Sequence, residues 1–166
     1  MVAARAPRGD GRGSLAVNDQ DRFTTAEWRT LQFAPFWMFS AIIGAYRRFD
    51  PREYQAFVGC IQSAAIAQEG LCHAVLDSVL ADRDRLTEAY GADARTIGVG
   101  LAEVSAVLGK ATEEEAAAFK GMLVREIGEG IARARGRFGS VVSEEDANAL
   151  TVAAQLLYFD LDAVEP

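Results

Sequence analysis

Apolar residues recur at helical spacing from Phe23 almost to the end of the chain, and nearly every such stripe is introduced by a residue suited to cap a helix. No stretch alternates apolar and polar residues for long enough to form a strand. That pattern restricts the chain to helices packed on helices.

Thr24 followed by Glu27 is a capping box. The hydroxyl accepts from an early backbone N–H and the carboxylate reaches back to the cap. Pro35 falls inside the helix that starts there. Because it lacks an N–H and clashes with the carbonyl one turn earlier, the segment is expected to kink or restart near Ala34. Phe36, Trp37, Phe39, Ile42, Ile43 and Tyr46 then surround most of the circumference, the mark of a helix buried on several sides. The apolar run from Leu31 to Tyr46 is shorter than the roughly 20 residues that cross a bilayer, and it contains Gln32 and Pro35. It is a core helix, not a transmembrane one.

Asp50, Pro51 and Glu53 give the next start, followed by the stripe Tyr54, Phe57, Val58, Ile61 and Ala65, with Gly70 as a separator. Cys72, Val75, Leu76, Val79, Arg83, Leu86 and Tyr90 predict one amphipathic helix up to Gly91. Ile97, Leu101, Val104 and Leu108 make another, whose first turn is weakened by Gly98 and Gly100 and which stops at Gly109, a residue suited to a left-handed cap. Thr112 with Glu115 is a second capping box, and Ala116, Phe119, Leu123, Ile127 and Ile131 carry its helix to about Arg135. Gly136 and Gly139 punctuate a loop. Ser143 with Asp146 opens a last helix faced by Ala147, Leu150, Ala154, Leu157 and Leu161.

The expected fold is all-α, a compact bundle of about six or seven helices with mostly antiparallel neighbours. Phe49-Asp50-Pro51-Arg52-Glu53 through Phe57 is echoed by Val142-Ser143-Glu144-Glu145-Asp146 through Leu150. The echo reflects either ordinary capping chemistry or a duplicated helix-loop-helix unit.

With 166 residues, half of them apolar, one domain can bury its core without disulfides or metal. Residues 1–22, rich in Gly, Arg and Asp, have no apolar period and are expected to form a flexible tail ahead of a helical domain at 23–166. Arg, Asp and Gly occupy the place where the apolar region of a signal peptide would run, and Cys60 and Cys72 sit in apolar stretches as reduced, buried thiols. Both features point to the cytoplasm. A net charge of −7 argues against nucleic acid as the main partner.

Reactive chemistry has little to work with. His73 is the single histidine, and the neighbouring Cys72 points about 100° away from it on a helix. Glu113 to Glu115 and Glu144 to Asp146 lie at helix N-termini, where the dipole favours negative charge. Asp82-x-Asp84 lacks the further acids and glycine of a calcium loop. Arg8-Gly9-Asp10 and Gly11-Arg12-Gly13 are read as plain disorder, and Phe33, Phe36, Trp37 and Phe39 as core. No catalytic, cofactor or metal residue is assigned, and no enzymatic activity is expected. The competing possibility is a divalent cation held by Asp50, Glu53, Glu145 and Asp146, should the two echoed loops meet.

Glu27-Trp28, Ala34-Pro35, Phe49 to Glu53 and Gly136 to Asp146 together resemble the TerB-like (tellurite resistance) family over residues 27–158. Its units carry a helix, a turn often containing Asp-Gly, an apolar residue, a Ser or Asp cap, and an acid three residues later. Members have been connected with divalent-metal binding, stress responses and assemblies near the inner membrane face. The resemblance therefore implies a non-enzymatic interaction module with a protein partner in a membrane-proximal assembly. It departs from the family at Tyr46 and Arg47, which stand in place of Asp and Gly, and in the loop from Gly136 to Val142, which has no acid. Both departures weaken the metal-binding alternative.

Overall fold

The first capping box forms as the sequence dictates: the Thr24 hydroxyl accepts from the Glu27 N–H at 3.2 Å, and the Glu27 carboxylate accepts from the Thr24 N–H at 2.8 Å. It opens α1, Thr25–Ile43, which ends at Gly44 in the left-handed region with φ 63°. The computed structural model describes residues 18–44, 49–136 and 141–163. The tripeptides Arg8-Gly9-Asp10 and Gly11-Arg12-Gly13, and also Tyr46, Arg47 and Gly139, lie outside them.

Helices α2 (Pro51–Ala67), α3 (Gly70–Ala81), α4 (Arg83–Ala92) and α5 (Ile97–Val107) follow. The long α6 covers 113–135 as Glu113–Gly121, a π-helical stretch Met122–Gly128, and Glu129–Arg135. The last helix, α7, is Glu144–Leu156. Among the described residues there are these seven helices and no strand.

Of the kink or restart expected near Ala34, there is no restart: α1 continues through Pro35. The physical reason is burial. Helix α1 packs against α3, α4, α5, α6 and α7, and its Phe36 and Phe39 rings meet Phe57 of α2 at 5.2 and 4.6 Å. Phe33, Phe36, Trp37 and Phe39 are core residues, as their composition suggested. Packing on all sides outweighs one missing backbone hydrogen bond, since helices in proteins draw most of their stability from tertiary contacts.

The single helix expected from Cys72 to Tyr90 is two helices, broken at Asp82 (φ −125°, ψ 31°). The bend carries Tyr90 onto α1, where its ring meets Phe33 at 5.6 Å and Phe36 at 5.2 Å and its hydroxyl bonds Ser40 at 2.7 Å. Gly109 is not the left-handed cap expected of it. Helix α5 instead tightens into a 3-10 turn, Leu108–Lys110, closed by the Ala111 N–H on the Leu108 carbonyl.

Ahead of Phe23, residues 18–22 are among those described. Asn18 caps a 3-10 turn, Asp19–Arg22, and the Arg22 guanidinium makes two 3.0 Å hydrogen bonds to the Glu115 carboxylate. On α7, Ala147 is exposed and Leu161 lies beyond the helix, 38% exposed, so neither joins the expected apolar face. Asp146 takes the inward position ahead of Leu150, Ala153 and Ala154.

Candidate functional site

The two echoed helix starts converge. Asp50 accepts from the N–H groups of Arg52 and Glu53, and Ser143 accepts from the Asp146 N–H at 3.1 Å, so each cap sets the direction of the acid that follows. Both acids reach Arg135, the last residue of α6. Its Nε lies 3.3 Å from the Glu53 carboxylate, its Nη1 donates to Asp146 at 2.8 Å, and Nη1 also donates to the Ile42 carbonyl at the end of α1.

One guanidinium thus ties α1, α2, α6 and α7 together at one end of the bundle. Asp146 is buried, and its charge is matched by the fixed charge and planar fork of the arginine. Of the four acids considered as metal ligands, Glu53 and Asp146 come together on Arg135. Asp50 lines a cleft of about 520 Å³ on one side, and the exposed Glu145 lines another of about 410 Å³ on the other. No three His, Cys, Asp or Glu among the described residues are grouped so that they could hold a metal ion. The sequence marked Arg135 only as the approximate end of its helix, although a basic residue in a last helical turn beside a loop glycine was the available signal for its role.

The remaining reactive groups have structural partners or are shielded. His73 Nδ1 lies 2.7 Å from the Ala65 carbonyl, which can only accept, so this nitrogen carries a proton. Burial, together with the nearby Glu126 carboxylate, pushes the Cys72 thiol up to about 12, and burial also raises Cys60. Glu115 accepts from Arg22 and from the Thr112 N–H, which hold its carboxyl below the usual range. Glu113, Glu114 and Glu144 stay exposed in first helical turns. Asp82 is the bend itself, and Asp84 pairs with Arg83 at 3.5 Å.

A second concavity of about 750 Å³ lies where α2 turns into α3. Its apolar lining includes Ala65, Ile66 and Leu80, and its polar lining includes Glu69, His73 and Asp77. Ile66 is 88% exposed, more than any other large apolar residue among those described. The turn that builds this groove depends on Gly70, which begins α3 at φ +57°, a conformation other residues seldom adopt. Ile66 was missed in the sequence. It stands next to Ala65, about 100° off the buried stripe of an otherwise amphipathic helix, and that displacement was its signal.

These features define an all-helical bundle with an arginine-clamped junction at one end and an open, acid-rimmed apolar groove at the α2–α3 corner. Compared with family models, curated proteins and solved structures, the chain gives no significant match.

Proposed function

We propose that this chain is a non-enzymatic helical interaction module that works in the cytoplasm by holding a partner protein on the α2–α3 groove. The observation that carries this reading is Ile66, a large aliphatic side chain 88% exposed at a concave site. Single apolar residues on a surface are common, but one set beside a groove with an apolar lining offers a partner both an anchor and a recess. The non-enzymatic part is supported by the duties of the reactive groups: His73 Nδ1 serves the α2 carboxyl end, and both thiols are held protonated by burial. The TerB-like resemblance favours the same kind of role, in an assembly near the membrane. No helix among the described residues is long and apolar enough to cross a membrane, so such a location would come through the partner.

The test is site-specific photocrosslinking in the source organism. A photoreactive residue at position 66 should give a discrete adduct, and one at Asn148, exposed on α7, should not. Absence of an adduct from position 66, or the same adducts from both positions, would remove the groove as the binding face.

A further inference from the structure

Resting on the reading of the α2–α3 groove as a binding face, we propose that its occupant is a basic amphipathic segment of a partner protein. Such a segment would place aliphatic side chains against Ile66 and Leu80 and lysine or arginine side chains on the rim. The groove's formal charge is one-sided, since Gln62 and Gln68 add only neutral amides that both donate and accept. Glu69 and Asp77 present carboxylates, which only accept, and neither lysine nor arginine lines the groove among the described residues. The His73 Nδ1 proton is committed to the Ala65 carbonyl, so this nitrogen offers no donor to the groove.

Backbone electrostatics at this corner point the same way. Helix α2 ends at Ala67, so the negative end of its dipole faces the corner. The opposing positive end of α3 lies beside Glu69, whose side chain makes no capping hydrogen bond. The full charge of that carboxylate outweighs the partial charge of the helix start and leaves its oxygens available to a donor. A partner rich in donors and positive charge is therefore complementary to the rim, and one aliphatic face is complementary to the floor. Nucleic acid and anionic membrane surfaces carry the wrong charge for such a rim.

The full-length protein can be titrated with a fluorescent synthetic peptide of about 18 lysines and leucines arranged with the leucines on one helical face. Two comparison peptides have glutamate in place of lysine, or the same lysines and leucines in scrambled order. The basic amphipathic peptide is expected to bind best. Ile66→Asp, and separately Glu69→Lys with Asp77→Lys, should each weaken it by at least about tenfold. Glu144→Lys with Glu145→Lys, on the surface of α7, should leave it nearly unchanged. All these positions are exposed, and circular dichroism melts would verify that the variants stay folded.

Equal weakening by the α7 pair would mean general attraction to an acidic protein and would overturn the proposal. If the glutamate peptide binds as well as the basic one and is lost with Ile66→Asp, the groove remains a binding face but the basic partner is excluded. If no peptide binds, both readings fall. Replacing Arg5, Arg8 and Arg12 with serine in the full chain provides a further arm. A tenfold gain in peptide affinity there would assign the groove to the chain's own basic segment instead. A dimer dispersed by Ile66→Asp in light scattering would assign it to a second copy.

Discussion

Gly100 of α5 lies so close to the Trp37 indole of α1 that a Cβ at residue 100 would come within 2.1 Å of the ring's Cε2 atom. The glycine that weakened the helix in sequence terms is what lets the buried tryptophan lie against the α5 backbone. Gly100→Ala is therefore expected to destabilise the protein by about 1–3 kcal/mol through overpacking. Gly59→Ala, in the middle of α2 with nothing within 4 Å of the added atom, is expected to stabilise by about 0.5–1 kcal/mol. Denaturant unfolding of the two variants should give shifts of opposite sign, and a gain from Gly100→Ala would contradict the packing described here.

Phe57 and Leu123 are both fully buried, one stacked on Phe39 at 4.6 Å and the other in the π-helical stretch of α6. Truncating either to alanine should cost about 2–5 kcal/mol, because the neighbours cannot close the cavity completely. Losses below about 0.5 kcal/mol in chemical denaturation, the range of surface changes, would place these side chains outside the core.

At the other end of the bundle, Arg135→Gln leaves the buried Asp146 without its charged donor and frees the Ile42 carbonyl. Since the arginine side chain is 31% exposed, solvent offsets part of the loss, and a destabilisation of about 1–3 kcal/mol is expected. Glu53→Gln, at the longer 3.3 Å contact, should cost less. An Arg135→Gln variant as stable as the parent would show that the clamp contributes nothing.

Arg22 and Glu115 link the 3-10 turn Asp19–Arg22 to α6, and they make stability depend on acid in a defined direction. The Arg22 hydrogen bonds, then the Thr112 N–H, hold the Glu115 carboxyl below its ordinary value of 4.5. A depressed folded value means that the contribution is fully present above that ordinary value and is lost as pH falls through the folded one. Stability curves for the parent and Glu115→Gln should therefore converge on acidification below pH 4.5. Curves that stay parallel over that range would show that this pair does not couple folding to pH.

Calcium, magnesium and zinc are expected not to bind tightly at the α2–α7 junction. Hard cations need several oxygens converging on one point, and here Glu53 and Asp146 already converge on a guanidinium that would repel a dication. Calorimetric titration of metal-stripped protein is expected to be silent. Stoichiometric binding tighter than about 10 micromolar, abolished by Asp50→Asn or Asp146→Asn, would restore the metal-binding alternative.

Sequence by itself determined which segments are helical and where most of them start. Capping at Thr24, Asp50, Thr112 and Ser143 uses groups within a few residues of one another, so local chemistry suffices. The buried stripes around Phe57 and Leu123 were legible for the same reason, because helical periodicity is a local property. Tertiary structure decided what that chemistry left open. Pro35 stays inside α1 because six other helices enclose it, Asp82 bends because Tyr90 belongs on the aromatic cluster, and Gly100 is required by a ring 63 residues away in the chain. The candidate sites are of this second kind. Capping rules set Glu53 and Asp146 at their helix starts, but only the packing of α2, α6 and α7 brings both to Arg135. Only the turn at Gly70 converts Ile66, one residue off its stripe, from an ordinary surface side chain into part of a groove. Caps and stripes are encoded within a turn or two, whereas sites arise from contacts between helices distant in sequence, and a single chain read in order does not record those distances.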